Sequence, residues 1–143
     1  MSVNAAGEIM GRFYEDFATG DIDAAISACA EDLAIVDPGM GLVHGRERFR
    51  EYLETFKRAM PDAHAVIERT VESGEMVAVE GRFTGTHTGP LASDDGDVEP
   101  TGATVDLRFA DVSRVQGGEI VAYHTYYDQL ALLTQLGLMG QTA

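Results

Sequence analysis

Basic residues, cysteines and long apolar runs are all scarce in this chain, and each scarcity removes a class of function. Ten Lys and Arg stand against 24 Asp and Glu in 143 residues, a formal charge of −14. Nucleic acid and anionic membrane surfaces reward clustered Lys and Arg, so neither is expected as a partner. The single cysteine, Cys29, excludes an internal disulfide and any multi-cysteine metal site. It stands at helical spacing from Ile22 and Ile26, which predicts a buried structural thiol and not a nucleophile. His44, His64, His87 and His124 have no metal-ligand spacing to another His or Cys, so no metal is expected. Gly39, Gly41 and Gly45 do not compose a phosphate loop and no dinucleotide fingerprint follows a strand, so no cofactor is expected either. No apolar stretch approaches the roughly 18 residues that span a bilayer. Met1 to Ala6 lacks the basic and apolar regions of a signal peptide, which makes a cytoplasmic protein the expectation.

Hydrophobic residues, 45% of the sequence, suffice for one domain over 1–143 with a core and a small-molecule cavity inside it. Ile9, Met10, Phe13 and Phe17 recur at helical period up to Thr19-Gly20, where glycine suits a left-handed cap. Asp21 caps a second helix that turns Ile22, Ala25, Ile26 and Cys29 inward and stops before a strand at Leu33 to Val36. After a turn at Pro38 to Gly41, Gly45 opens a third helix with Phe49, Tyr52, Leu53, Phe56 and Met60 on one stripe, ended by Pro61. Strands are predicted from about Ala63 to Glu72, Met76 to Thr88, Thr104 to Val115 and Glu119 to Tyr127. Gln116-Gly117-Gly118 joins the last two as a hairpin, and Leu91 to Gly102, with Ser93-Asp94-Asp95-Gly96-Asp97, forms a polar and mobile loop. A final helix begins at Asp128 and carries Leu130, Leu132, Leu133 and Leu136. Helices followed by a meandering sheet indicate an α+β domain, a curved antiparallel sheet wrapped around N-terminal helices as a cone open at one end.

Two aspartates in apolar surroundings carry the chemical interest. Asp37 follows Leu33-Ala34-Ile35-Val36 and precedes Pro38-Gly39, and Asp111 shares a strand face with Leu107 and Phe109 by period-2 alternation. A carboxylate on an apolar face is paired, protonated or in a wet pocket, because an isolated buried charge costs several kcal/mol. Asp37 has the alternative of accepting turn hydrogen bonds, and Asp111 that of a bulge reaching solvent.

The segments Ala18-Thr19-Gly20-Asp21-Ile22-Asp23, Val36-Asp37-Pro38-Gly39, His44-Gly45-Arg46-Glu47, Gly85-Thr86-His87-Thr88-Gly89-Pro90, Pro100-Thr101-Gly102, Arg114 to Ile120 and Gln135-Leu136-Gly137 occur in an order that resembles the nuclear-transport-factor-2-like superfamily. The Gly-Thr-His-Thr-Gly, Pro-Thr-Gly and Gln-Leu-Gly segments are most similar to its SnoaL-like branch. That resemblance implies the cone and a polyketide cyclase working by aldol chemistry without a cofactor. The ketosteroid isomerases share the cone, and their base and oxyanion-binding acid correspond to Asp37 and Asp111 here. Their helix-1 tyrosine falls at Phe13, beside Tyr14, while the cyclases' working aspartate falls at Thr125 and their pocket histidine at Asp111. The resemblance therefore implies a cyclase overall with isomerase-like acids.

Enolate formation next to a carbonyl needs a base near the carbon and a donor near the oxygen, roles that suit Asp37 and Asp111 respectively. For Asp111 to donate, desolvation by Leu107, Phe109 and nearby tyrosines must keep it neutral near pH 7. Tyr123, Thr125 and Tyr127 alternate onto one strand face and could line the cone, or pack as core or interface aromatics; Tyr14 faces the same choice. Phe13, Phe17 and Phe109 complete the expected apolar wall. Tyr52 and Phe56 also join the candidate lining, although closing the core is their simpler role. His87 is expected at the pocket mouth or as a surface or turn-stabilising residue. The expected ligand is an apolar, oxygenated small molecule, and the protein is expected to form a homodimer through the outer sheet face. The rival is a non-catalytic ligand carrier or protein-docking module, with Asp37 in solvent, Asp111 in an ion pair and the cone filled by side chains.

Overall fold

A computed structural model describes residues 5–92 and 96–138. Ser93-Asp94-Asp95 of the expected mobile loop lies outside the described residues. Four helices and six strands follow in the order α1 (Ala6–Thr19), α2 (Ile22–Ser27), β1 (Cys29–Asp37), β2 (Gly41–His44), α3 (Arg46–Ala59), β3 (His64–Ser73), β4 (Met76–Thr86), β5 (Thr104–Gln116), β6 (Glu119–Tyr127) and α4 (Gln129–Gln135). The strands form one curved sheet ordered β2-β1-β6-β5-β4-β3, and the architecture is α+β. None of the described helices is long and apolar enough to cross a membrane.

Local sequence explains the helix boundaries. In α1, Ile9, Met10, Phe13, Tyr14 and Phe17 are buried at helical spacing. Gly20 ends it at φ 85°, a left-handed conformation that costs glycine nothing. Asp21 and Asp128 cap α2 and α4 by accepting from the Ala24 and Ala131 amides at 3.1 and 3.0 Å. Along β5, burial alternates so that Val105, Leu107, Phe109, Asp111, Ser113 and Val115 face the helices.

Four expectations need correction. The sheet is not wholly antiparallel, because β6 lies beside β1 in the parallel sense after β2, α3 and β3 to β5 intervene. Cys29 opens β1 instead of closing α2; its thiol is fully buried and desolvation pushes its pKa up to about 12. The Pro38 turn leads into a short extra strand, β2, which is almost wholly exposed and so lacks an apolar signature. Leu130 lies outside the α4 apolar face, at 58% exposure.

Gly81 allows the sheet to bend where β3 shifts register between Ile67 and Arg69. A Cβ at Gly81 would lie 2.1 Å from the Val66 carbonyl oxygen, a backbone atom that cannot swing aside. Gly81→Ala is expected to lower stability by about 3 kcal/mol, near the top of the range for overpacking, and to lower the melting temperature by about 10 °C in circular dichroism. An unchanged melting curve would contradict this packing.

Candidate active site

α1, α3, α4 and the inner face of β3 to β6 line a cavity whose empty space, counted together with the open solvent at its mouth, is about 660 Å³. Of the residues expected from sequence, Phe13, Tyr14, Phe17, Tyr52, Phe56, Phe109, Asp111, Tyr123, Thr125 and Tyr127 all line it. Leu53, Ala65, Phe83, Leu107 and Leu132 also line it, and none was among the ligand contacts expected. Strand parity could have found Phe83, which pairs with Leu107 across β4 and β5.

Asp111 sits on the cavity wall with 1% exposure. Its Oδ2 accepts from the Tyr14 hydroxyl at 2.6 Å and from the Tyr123 hydroxyl at 2.9 Å. Its Oδ1 is buried and has no hydrogen-bond partner among the described residues. Desolvation raises the carboxyl to about 6, and interactions with Thr125, Tyr14 and Tyr123 oppose that rise. Asp111 is therefore mostly ionised at pH 7. Where the sequence suggested a neutral donor, both phenols donate to Oδ2 and favour the charged form. Burial, followed by the Asp111 charge, pushes both phenols well above the usual tyrosine range, so they stay protonated.

Asp37 forms a second carboxylate cluster. Its Oδ2 accepts from the Gly39 and Met40 amides at 2.8 and 3.1 Å, the expected turn bonds. Its Oδ1 accepts from Tyr52 at 2.7 Å and Tyr127 at 3.3 Å. Asp37 is buried and, unlike Asp111, is not among the residues that line the cavity. The phenols of α3 and β6 stand between it and the open space. Burial raises the pKa values of Tyr52 and Tyr127.

Phe49 joins the two clusters from behind. Its ring is fully buried and lies 5.6 Å from Phe13, 6.0 Å from Tyr52 and 4.8 Å from Tyr123, centre to centre.

His87 is fully buried, not at the surface and not on the cavity wall. The Thr101 amide donates to its Nδ1 at 3.2 Å, so the ring proton is assigned to Nε2. With Gly102 N–H donating to the His87 carbonyl and His87 N–H to Ala103, it ties the end of β4 to the segment before β5. None of the three features required by a filled, non-catalytic cone is present: Asp37 is buried, Asp111 is bonded to phenols, and the cone is open.

The pattern shared by SnoaL-like polyketide cyclases matches residues 8–136. A candidate SnoaL-like polyketide cyclase from Jannaschia sp. CCS1 has a TM-score of 0.81 at 20% identity, covering 95% of both chains. IdmH, a candidate polyketide cyclase from Streptomyces antibioticus, has a TM-score of 0.77 at 28% identity, covering 92% of this chain and 98% of that one. A protein of ketosteroid-isomerase-like fold from Catenulispora acidiphila, complexed with trimethylamine, has a TM-score of 0.75 at 22% identity over 92% and 93% of the chains. No curated protein matches the sequence significantly. With the shared pattern running from the first turn of α1 to the end of α4 on this fold, the chain belongs to the SnoaL-like polyketide cyclase family.

Proposed function

We propose that the protein catalyses cofactor-free, intramolecular aldol-type ring closure on a polyketide-like substrate, with Asp111 as the general base. The observation that carries this reading is a buried, mostly ionised carboxylate on the cavity wall with one oxygen held by two phenols and the other without a partner among the described residues. Asp111 Oδ1 removes a proton α to a substrate carbonyl, and the C–H electron pair moves onto the carbonyl oxygen as an enolate. Proton arrival neutralises Asp111 and weakens its hold on the phenol protons, so Tyr14 or Tyr123 can turn its hydroxyl to the enolate oxygen. The enolate carbon attacks a second carbonyl of the same molecule, and the new alkoxide recovers the proton from Asp111. Tyr52 and Tyr127, positioned by Asp37, hold the far end of the substrate. With a β,γ-unsaturated carbonyl substrate, reprotonation of the resulting dienolate at its γ carbon by Asp111 would instead shift the double bond, and the same base geometry favours that isomerase reading; the product separates the two.

The test is turnover of aromatic poly-β-carbonyl esters against pH. kcat/KM is expected to rise with pH through an ionisation of about 6, where Asp111 gains its charge, and to stay level above it. A profile flat from pH 4 to 8, or no cyclised product, would contradict the reading.

We further propose that the protein is a homodimer through the outer sheet face. Across that face Val71, Ala78, Val112, His124, Val36 and Leu42 stand in one row that crosses all six strands. Val71 and Leu42 are 57% and 62% exposed. Arg69 pairs with Glu80, Arg82 with Glu68 and Asp106, and Arg108 with Glu68, so this region is locally balanced within a chain of net charge −14. Two copies can meet there without facing uncompensated like charge. Sedimentation equilibrium is expected to give twice 15.4 kDa, and a monomer mass would contradict the interface.

A further inference from the structure

The polar groups of the cavity are unequally divided between donors and acceptors. Each tyrosine hydroxyl has one proton to give. Those of Tyr14 and Tyr123 lie on Asp111, and those of Tyr52 and Tyr127 lie on Asp37. The Thr125 hydroxyl, cross-strand from Asp111, interacts with Asp111 and Tyr123. Among the described residues no Lys, Arg, His, Asn or Gln side chain lines the cavity. At the four phenols a ligand therefore meets oxygen lone pairs. An ether or carbonyl oxygen is repelled unless a phenol abandons a carboxylate, whereas a hydroxyl finds a partner without disturbing any bond. A phenol that donates to a carboxylate also becomes a better acceptor, because its oxygen is polarised by the proton it shares.

We propose that the phenol oxygens of Tyr52 and Tyr127, with their protons held on Asp37, form a subsite that accepts a hydrogen bond from a ligand hydroxyl and discriminates against an ether or carbonyl in the same place. The proposal rests on the reading that the cavity holds the substrate, and it narrows that substrate to molecules carrying phenol- or enol-type hydroxyls remote from the reacting carbon. Asp37 takes no part in proton transfer. Its four accepted bonds anchor the turn after β1 and orient two rings from different elements, so it is a positioning residue. Asp111 Oδ1 is the competing acceptor, and the test must separate the two places.

The probes are 2-naphthol and 2-methoxynaphthalene, which share a ring system and differ by one donated proton, titrated by calorimetry into the 143-residue chain. The naphthol is expected to bind at least about tenfold tighter than its methyl ether, a difference of about 1.4 kcal/mol. The preference is expected to vanish in the Tyr52→Phe/Tyr127→Phe double variant and to persist in Asp111→Asn. Tyr127 makes the longer bond to Asp37, so Tyr127→Phe alone is the milder variant if the double one does not fold, and it is expected to cut the preference at least about threefold. Equal binding of the two probes, no binding of either, a preference that survives loss of both phenols, or one lost in Asp111→Asn would overturn the proposal. The cyclase reading fails separately, through turnover that survives Asp111→Asn, and that result leaves the binding preference unaffected.

Discussion

Asp111→Asn is expected to lower turnover at least about 100-fold while making the folded protein more stable at neutral pH. The loss of activity follows from removing the only carboxylate on the cavity wall among the described residues. The gain in stability follows from linkage. Burial pushes the carboxyl up to about 6 in the folded chain, from 3.8 for a free side chain in water, the reference for the unfolded chain. A raised acid pKa means that the folded state holds its proton more tightly, so stability falls as pH rises from about 4 to about 6 and stays lower above it. That difference corresponds to about 3 kcal/mol. Asparagine is neutral at every pH, which removes that cost, and its weaker bonds to Tyr14 and Tyr123 offset part of the gain. A net stabilisation of about 1–2 kcal/mol is expected at pH 7 and none at pH 4, read from urea unfolding of variant and parent at each pH. A variant that is inactive and also less stable at pH 7 would show Asp111 to be a structural carboxylate.

Phe49→Ala is expected to have the largest effect on the fold. The ring is fully buried and packs against Phe13, Tyr52 and Tyr123, which belong to α1, α3 and β6. Truncating a phenylalanine in such a place costs about 3–5 kcal/mol, from lost burial and from the cavity left behind. For a domain of this size that is about 10–15 °C in melting temperature. Because Tyr52 bonds Asp37 and Tyr123 bonds Asp111, the same change loosens both carboxylate clusters, and weaker binding of aromatic ligands is expected alongside the lower melting temperature. A stability loss under about 1 kcal/mol would mean that the core closes over the gap and that Phe49 does not brace the site.

The cavity lining was legible in the sequence to the extent that periodicity carries it. Alternation along β5 and β6 put Asp111, Phe109, Tyr123, Thr125 and Tyr127 on one face, and helical spacing put Phe13 and Phe17 on another, because a side chain's direction follows its backbone. The roles of the two acids were not legible by the same means. Asp37 has its partners on α3 and β6, and whether phenols or solvent meet a carboxylate depends on contacts between elements far apart in sequence. Nor could pattern foresee that Asp111 accepts hydrogen bonds from two phenols, which favour its charged form. β2 and the parallel pairing of β1 with β6 were missed for a related reason. A four-residue exposed strand has no buried face, and strand order is set by how helices bridge the sheet. His87 stood among glycines and threonines in a segment that suggested a turn, and its burial goes with long-range bonds to Thr101, Gly102 and Ala103.

The claim beneath all of this is that Asp111 removes a carbon-bound proton inside an apolar hollow. Proton NMR in D2O at pH 7, with the protein and a 2-tetralone-type ketone, reads that step directly and does not depend on whether a ring then closes. Deuterium is expected to replace the α protons at a rate proportional to protein concentration, and Asp111→Asn is expected to slow this at least about 100-fold while Asp37→Asn retains most of it. Exchange at the same rate with parent and Asp111→Asn protein, or exchange lost only in Asp37→Asn, would contradict the account.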